Sequence, residues 1–269
     1  MTTFVLIHGA WLTPRSWEGF EEYLSERGHE VIVPAWPGHD RPVEEIRADP
    51  SPIDGLTLQE IVDHYADVIR DLPEQPVLVG HSFGALIVQL LLDRGFGAAG
   101  VAIDTAPPKG VRLPLSSLRT AWPVLSNPAN RNRTVELSFE QFKYAFVNTW
   151  PDDDARAAYD RYAVPETGRI FFQAGTSSLT PNAANTVDYG NDDRPPLLLV
   201  AGERDHTSPP SLSRSINRKY GRSRAVTDLH EFVGRSHLLM VGDGWKEIAE
   251  DIERWADRTL SDGSDADRP

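Results

Sequence analysis

Ser82 stands between two glycines in Val79-Gly80-His81-Ser82-Phe83-Gly84, a spacing that presents a hydroxyl for nucleophilic attack. A serine at the tip of a sharp strand-to-helix turn is exposed, and the turn closes only where small neighbours such as Gly80 and Gly84 let the chain fold back. The hydroxyl needs an imidazole to take its proton and a carboxylate to orient that imidazole. Asp205 supplies the carboxylate, in Glu203-Arg204-Asp205-His206 after the apolar run from Pro195 to Gly202. His237 supplies the imidazole, in Gly234-Arg235-Ser236-His237 after Leu229 to Val233. Serine, aspartate, histidine is the chain order of such a triad on an α/β sheet. Asp104 is the alternative acid, because it too ends a buried run, Gly100 to Ile103; the exit loop that starts at Gly202 favours Asp205. Acyl transfer further requires donors for a developing oxyanion. The N–H of Phe83 is one, and His8-Gly9-Ala10-Trp11 offers a second from Ala10 or Trp11, with Ala10 favoured. The His8 side chain itself is expected only to hydrogen-bond nearby backbone.

Strands must carry these residues to one edge. Thr3–Ile7, His29–Pro34, Gln75–Val79, Gly100–Asp104, Pro195–Gly202 and Leu229–Val233 read as strands, most of them apolar throughout as in a parallel sheet covered on both faces. Ala85–Leu92 reads as the apolar helix after the serine. Leu58–Leu72 is predicted helical from Ile61, Val62, Tyr65, Val68 and Ile69, with Pro73 as its stop. From Val111 to Asp193 the alternation ceases, and helical stretches at Ser138–Trp150 and Asp152–Tyr162 are broken by Pro128, Pro151, Pro165 and Pro181. The expectation is an α/β fold with a mostly parallel, doubly wound sheet. Residues 1–110 and 194–258 form its core, residues 111–193 a helical cap insertion, and residues 259–269 a flexible acidic tail. Trp11, Phe142, Tyr144, Phe146, Phe171 and Phe172 are candidates to line an apolar pocket, although aromatic residues on such helices also serve as plain core.

From about Thr3 to about Trp255 these segments resemble the α/β-hydrolase superfamily. The opening His8-Gly9-Ala10-Trp11, followed by Ser16-Trp17, is similar to the branch that includes plant methylesterases, hydroxynitrile lyases and small bacterial esterases. The resemblance implies Ser82 as nucleophile, His237 as general base, Asp205 as its acid, and Ala10 with Phe83 as oxyanion donors. It implies a cofactor-free hydrolase of a carboxylic ester, or a related lactone or thioester. A lyase or perhydrolase on the same triad, or a small-molecule receptor reusing the pocket, are the alternatives. The chain starts at the strand that bears the His-Gly loop, so the sheet is expected to lack the family's first two strands.

Composition narrows the partners. With 27 Lys and Arg against 40 Asp and Glu, the net charge of −13 repels phosphate backbones and anionic membranes, leaving a small molecule as the expected partner. The 269 residues are enough for one large core, as a monomer or homodimer. The chain has no cysteine, which excludes disulfides, thiolate metal sites and a cysteine nucleophile. A cytoplasmic setting is expected, since Met1-Thr2-Thr3-Phe4 leads straight into a strand and no run is long enough to span a bilayer. Asp152-Asp153-Asp154 is expected to cap a helix rather than hold a cation. His29 and His64 lack partners at ligand spacing. His81 and His206 are expected to pack around the site rather than take part in chemistry.

Overall fold

The structure is a computed structural model, and it describes residues 1–266. Its first half alternates strand and helix: β1 (Thr3–Ile7), α1 (Glu18–Glu26), β2 (Glu30–Ile32), α2 (Val43–Ala48), α3 (Leu58–Arg70), β3 (Val77–His81), α4 (Phe83–Asp93) and β4 (Ala99–Ile103). The next stretch carries α5 (Leu115–Leu125), β5 (Thr134–Val135), α6 (Phe139–Phe146), α7 (Asp152–Tyr162), β6 (Glu166–Thr167) and α8 (Arg169–Gly175). The alternation then resumes with β7 (Leu197–Gly202), α9 (Pro210–Tyr220), β8 (Thr227–Phe232) and α10 (Trp245–Ala266).

Six strands form one parallel sheet in the order β2-β1-β3-β4-β7-β8. β3, β4 and β7 are buried along their whole length, which is why they read as unbroken apolar runs. Among the described residues β2 pairs only with β1, and as an edge strand it is shorter than the expected His29–Pro34. The chain steps one way from β1 to β2, then returns past β1 to β3 and continues in that direction. Right-handed crossovers place the helices of opposite steps on opposite faces. Accordingly α1 packs with α10, and α3 with α4. The reversal falls between β1 and β3, where the loops part and leave a crevice at the carboxyl ends of the strands. The register keeps those ends level: Ile7 lies opposite Gly80, His81 opposite Ile103, and Ile103 opposite Val200.

The segment between β4 and β7 pairs β5 with β6 as a small antiparallel ribbon. α6 stops at Phe146 instead of running to Trp150, because the Phe146 carbonyl accepts the Leu238 N–H at 2.9 Å and the chain turns out of the helix at Val147 (φ −134°). α10 continues through residues 259–266, which were expected as a frayed tail, with Leu260 adding to the apolar face that buries Ile248, Ile252 and Trp255. Residues 267–269 of that tail lie outside the described residues. Among the described residues no helix is long and apolar enough to cross a membrane.

Candidate active site

Ser82 follows β3 directly and adopts φ 55°, ψ −116°, a left-handed conformation that costs a non-glycine residue about 1–3 kcal/mol. The surroundings hold it there. Its N–H donates to the Ile103 carbonyl at 2.9 Å, and its carbonyl accepts the Ala106 N–H at 3.0 Å. A Cβ on Gly80 would sit 2.3 Å from the Gly84 oxygen, and one on Gly84 would sit 2.2 Å from the Ile7 oxygen. No side chain fits either position, so the spacing seen in the sequence is a steric requirement.

The loops after β7 and β8 bring Asp205 and His237 together. Nδ1 of His237 lies 2.7 Å from Asp205 Oδ2, and both side chains are fully buried. Asp205 Oδ1 accepts the Thr207 N–H at 2.6 Å, which fixes the carboxylate plane. With Nδ1–H donating to Asp205, Nε2 carries the lone pair, and among the described residues it has no hydrogen-bond partner. Ser82 and His237 line the same cavity, but no Ser82–His237 hydrogen bond is formed. Such contacts commonly close only on the bound substrate.

Asp104 ends β4 within reach of the same imidazole, its Oδ2 lying 3.9 Å from His237 Nδ1. Its Oδ1 accepts the Gly202 N–H at 2.8 Å, and its Oδ2 has no hydrogen-bond partner among the described residues. Burial, and then the neighbouring Asp205 charge, push the Asp104 carboxyl well above the ordinary range, so it keeps its proton. The geometry thus gives the orienting contact to Asp205. Donor atoms of Asp104, Asp205 and His237 lie within 4.8 Å of one another, a grouping that could hold a metal ion, although Asp205 and His237 are already hydrogen-bonded to each other.

The loop after β1 completes the site. Gly9 is so close to the nucleophile that a Cβ on it would lie 2.9 Å from Ser82 Cβ. The Trp11 N–H is taken by the buried Glu166 carboxylate at 3.2 Å. Among the described residues the N–H groups of Ala10 and Phe83 have no partner, so these two amides, and not that of Trp11, are free to receive an oxyanion. His8 bridges backbone: Nδ1 donates to the Gly9 carbonyl at 3.0 Å, and Nε2 accepts the Trp36 N–H at 3.1 Å. Burial and the neighbouring His39 keep it neutral.

The cavity beside Ser82 holds about 70 Å³, with Trp11, Phe83, Phe146 and Phe171 in its wall. Three of the expected lining residues, Phe142, Tyr144 and Phe172, are elsewhere. Phe142 lies one turn before Phe146 on α6 and stacks behind it, ring centres 4.8 Å apart. Tyr144, two residues from Phe146 and so on another side of the helix, packs against His206 at 4.6 Å and under the Arg119 guanidinium at 4.1 Å. Phe172 likewise does not reach the wall. The acidic run Asp152–Asp154 occupies the first turn of α7 without a side-chain cap, and Asp152 pairs with Lys143. His81 has a larger part than packing: its Nε2–H donates to the His237 carbonyl at 2.9 Å, and its ring lies 4.6 Å from the His237 ring. Burial and His237 hold it neutral, in the form that makes this bond. Its place directly before Ser82 is the only sign of this in the sequence.

Most of the sequence is matched by a family model. Residues 4–251 match the alpha/beta hydrolase family, and the chain belongs to it. No curated protein matches the sequence. Among solved structures, an extracellular α/β-hydrolase from a Paenibacillus species, described as sharing structural and functional homology with tobacco salicylic acid binding protein 2, is 26% identical. That match covers 93% of this chain and 97% of the other, with a TM-score of 0.65. A pyrethroid hydrolase from Sphingobium faniae is 19% identical, with 95% and 97% covered and a TM-score of 0.65. A methylesterase from Arabidopsis is 14% identical, with 96% and 99% covered and a TM-score of 0.66. The last two share the fold.

Proposed function

We propose that this hydrolase is a serine esterase that cleaves a small, neutral, largely apolar carboxylic ester through an acyl-enzyme. The observation that carries the reading is the buried 2.7 Å His237–Asp205 contact beside the strained Ser82, at the wall of one apolar cavity. Asp205 holds the imidazole with Nε2 as acceptor, and His237 takes the Ser82 proton as Oγ attacks the ester carbonyl. The N–H groups of Ala10 and Phe83 receive the negative charge. His237 returns the proton to the leaving alcohol, then activates the water that releases the acid. Apart from His237, no charged or titratable side chain among the described residues lines the cavity, which favours a neutral substrate. The pyrethroid hydrolase and methylesterase activities named for the structural relatives are consistent with this chemistry.

A panel of p-nitrophenyl, methyl and lactone substrates, ranked by kcat/KM for wild type and Ser82→Ala, tests the reading. Ester turnover that falls by about 10³-fold or more in a folded Ser82→Ala protein is expected. Full activity in that variant overturns it. Cyanide release from mandelonitrile without ester cleavage would make the site a lyase instead.

A further inference from the structure

Glu166 is a carboxylate in the two-residue strand β6, fully buried and far from the triad in sequence. Its Oε1 accepts the Thr167 N–H at 2.7 Å, and its Oε2 accepts the Trp11 N–H at 3.2 Å. The same Oε2 lies 3.2 Å from Nε2 of His39, and neither side chain is exposed. His39 Nδ1 faces the Pro37 carbonyl at 3.4 Å, and its ring packs against those of His8 and Trp36. Among the described residues His39 Nε2 forms no hydrogen bond, so Glu166 meets it by proximity while its two oxygens hold backbone N–H donors. The result is a buried imidazole–carboxyl contact behind the His8-Gly9-Ala10-Trp11 loop.

Trp11 is what that pair grips. Its φ of 62° is left-handed and strained for a tryptophan. Besides the bond to Glu166, its carbonyl accepts the Val164 N–H at 3.0 Å, and its indole N–H donates to the Val135 carbonyl at 3.0 Å. All three partners come from the segment between β4 and β7. The bond to Glu166 fixes the Ala10–Trp11 peptide plane, and with it the position of Ala10.

We propose that Glu166, backed by His39, is a positioning residue for the oxyanion hole: it clasps the Trp11 amide so that the Ala10 N–H points to the reacting carbonyl. The clasp rests on the serine-esterase reading. It predicts a loss in kcat rather than KM, because a misplaced oxyanion donor weakens the transition state and leaves ground-state binding alone.

The test compares Glu166→Met, Glu166→Asp and Glu166→Gln by kcat, KM and melting temperature on one ester. Reaction of wild-type Ser82 with a fluorophosphonate serves as the control for the underlying reading. A wild type that is not modified at Ser82 refutes the esterase reading itself. With wild type modified, the outcome bears on the clasp alone. In Glu166→Gln the side-chain carbonyl can accept the Trp11 N–H while the NH₂ faces His39 Nε2, so kcat should stay within about fivefold. Glu166→Met keeps the length but has no acceptor, and kcat should drop about 10²-fold with KM within about threefold. Should Glu166→Met not fold, Glu166→Asp gives the same contrast: it keeps the charge, withdraws the acceptor by one methylene, and should lose about tenfold in kcat. A folded Met variant or an Asp variant with wild-type kcat overturns the proposal, as does a Gln variant as impaired as the others.

Discussion

At His237 two carboxyl groups compete for one imidazole, and their surroundings make them unequal. Asp205 takes the 2.7 Å contact, while Asp104 at 3.9 Å is held neutral by burial and by its neighbour. Asp205→Asn removes the charge that stabilises an imidazolium, and kcat should fall about 10³–10⁴-fold. Asp104→Asn replaces a neutral acid with a neutral amide that can still accept the Gly202 N–H, and kcat should stay within about fivefold. Equal losses in the two variants would reverse the assignment. The Asp104 carboxyl also leaves a mark on stability. Unfolded, it loses its proton above about pH 4, whereas the folded form keeps it, so the native state binds the extra proton and stability falls as pH rises through that window until folded Asp104 ionises. Melting temperatures from about pH 5 to 9 should therefore decline less steeply for Asp104→Asn than for wild type. Parallel declines would place the charge on Asp104. Ser82, Asp205 and His237 were legible because each residue type sits where an apolar run ends. The parts played by His81 and Glu166 were not, since each bonds to a residue some 155 positions away and only the folded chain reveals the pairing.

The elements between β4 and β7 act on the site through backbone as well as side chains. The last carbonyl of α6, at Phe146, caps the Leu238 N–H, and its ring lies 5.2 Å from that of His237, so one helix end braces the histidine loop. α8 contributes Phe171, which packs on Trp11 at 4.5 Å and on Phe83 at 5.0 Å. A cavity of about 70 Å³ admits short acyl groups at best. Phe171→Ala should enlarge it and raise kcat/KM for p-nitrophenyl hexanoate relative to acetate by about tenfold. An unchanged ratio would show that the acyl chain lies elsewhere. The strands and α3 could be read from periodicity, with Thr57 and Glu60 forming a reciprocal cap at the start of α3. The end of α6 could not, because a tertiary hydrogen bond ends it. Phe142 and Tyr144 were misplaced for a related reason: a helix turns about 100° per residue, and only its packing fixes which side meets the cavity.

For the whole molecule, the net charge of −13 and a pocket without cations point the same way. An ester bearing a carboxylate should be a poor substrate whose kcat/KM rises severalfold between about 10 mM and 300 mM salt, while a neutral analogue of equal size stays constant. Equal salt responses would remove electrostatics from the specificity. The parallel sheet was foreseeable because β3, β4 and β7 are apolar on both faces, and the strand order follows from a single reversal between β1 and β3. That reversal brings loops from five strands to one edge, where the separate chemical groups meet. The central claim, that His237 activates Ser82, is tested most directly by the rate at which a fluorophosphonate modifies the protein, with the adduct mapped by peptide mass. A single adduct on Ser82 that forms about 10³-fold more slowly in folded His237→Ala is the predicted result. An adduct on another residue, or equal rates in the two proteins, would contradict it.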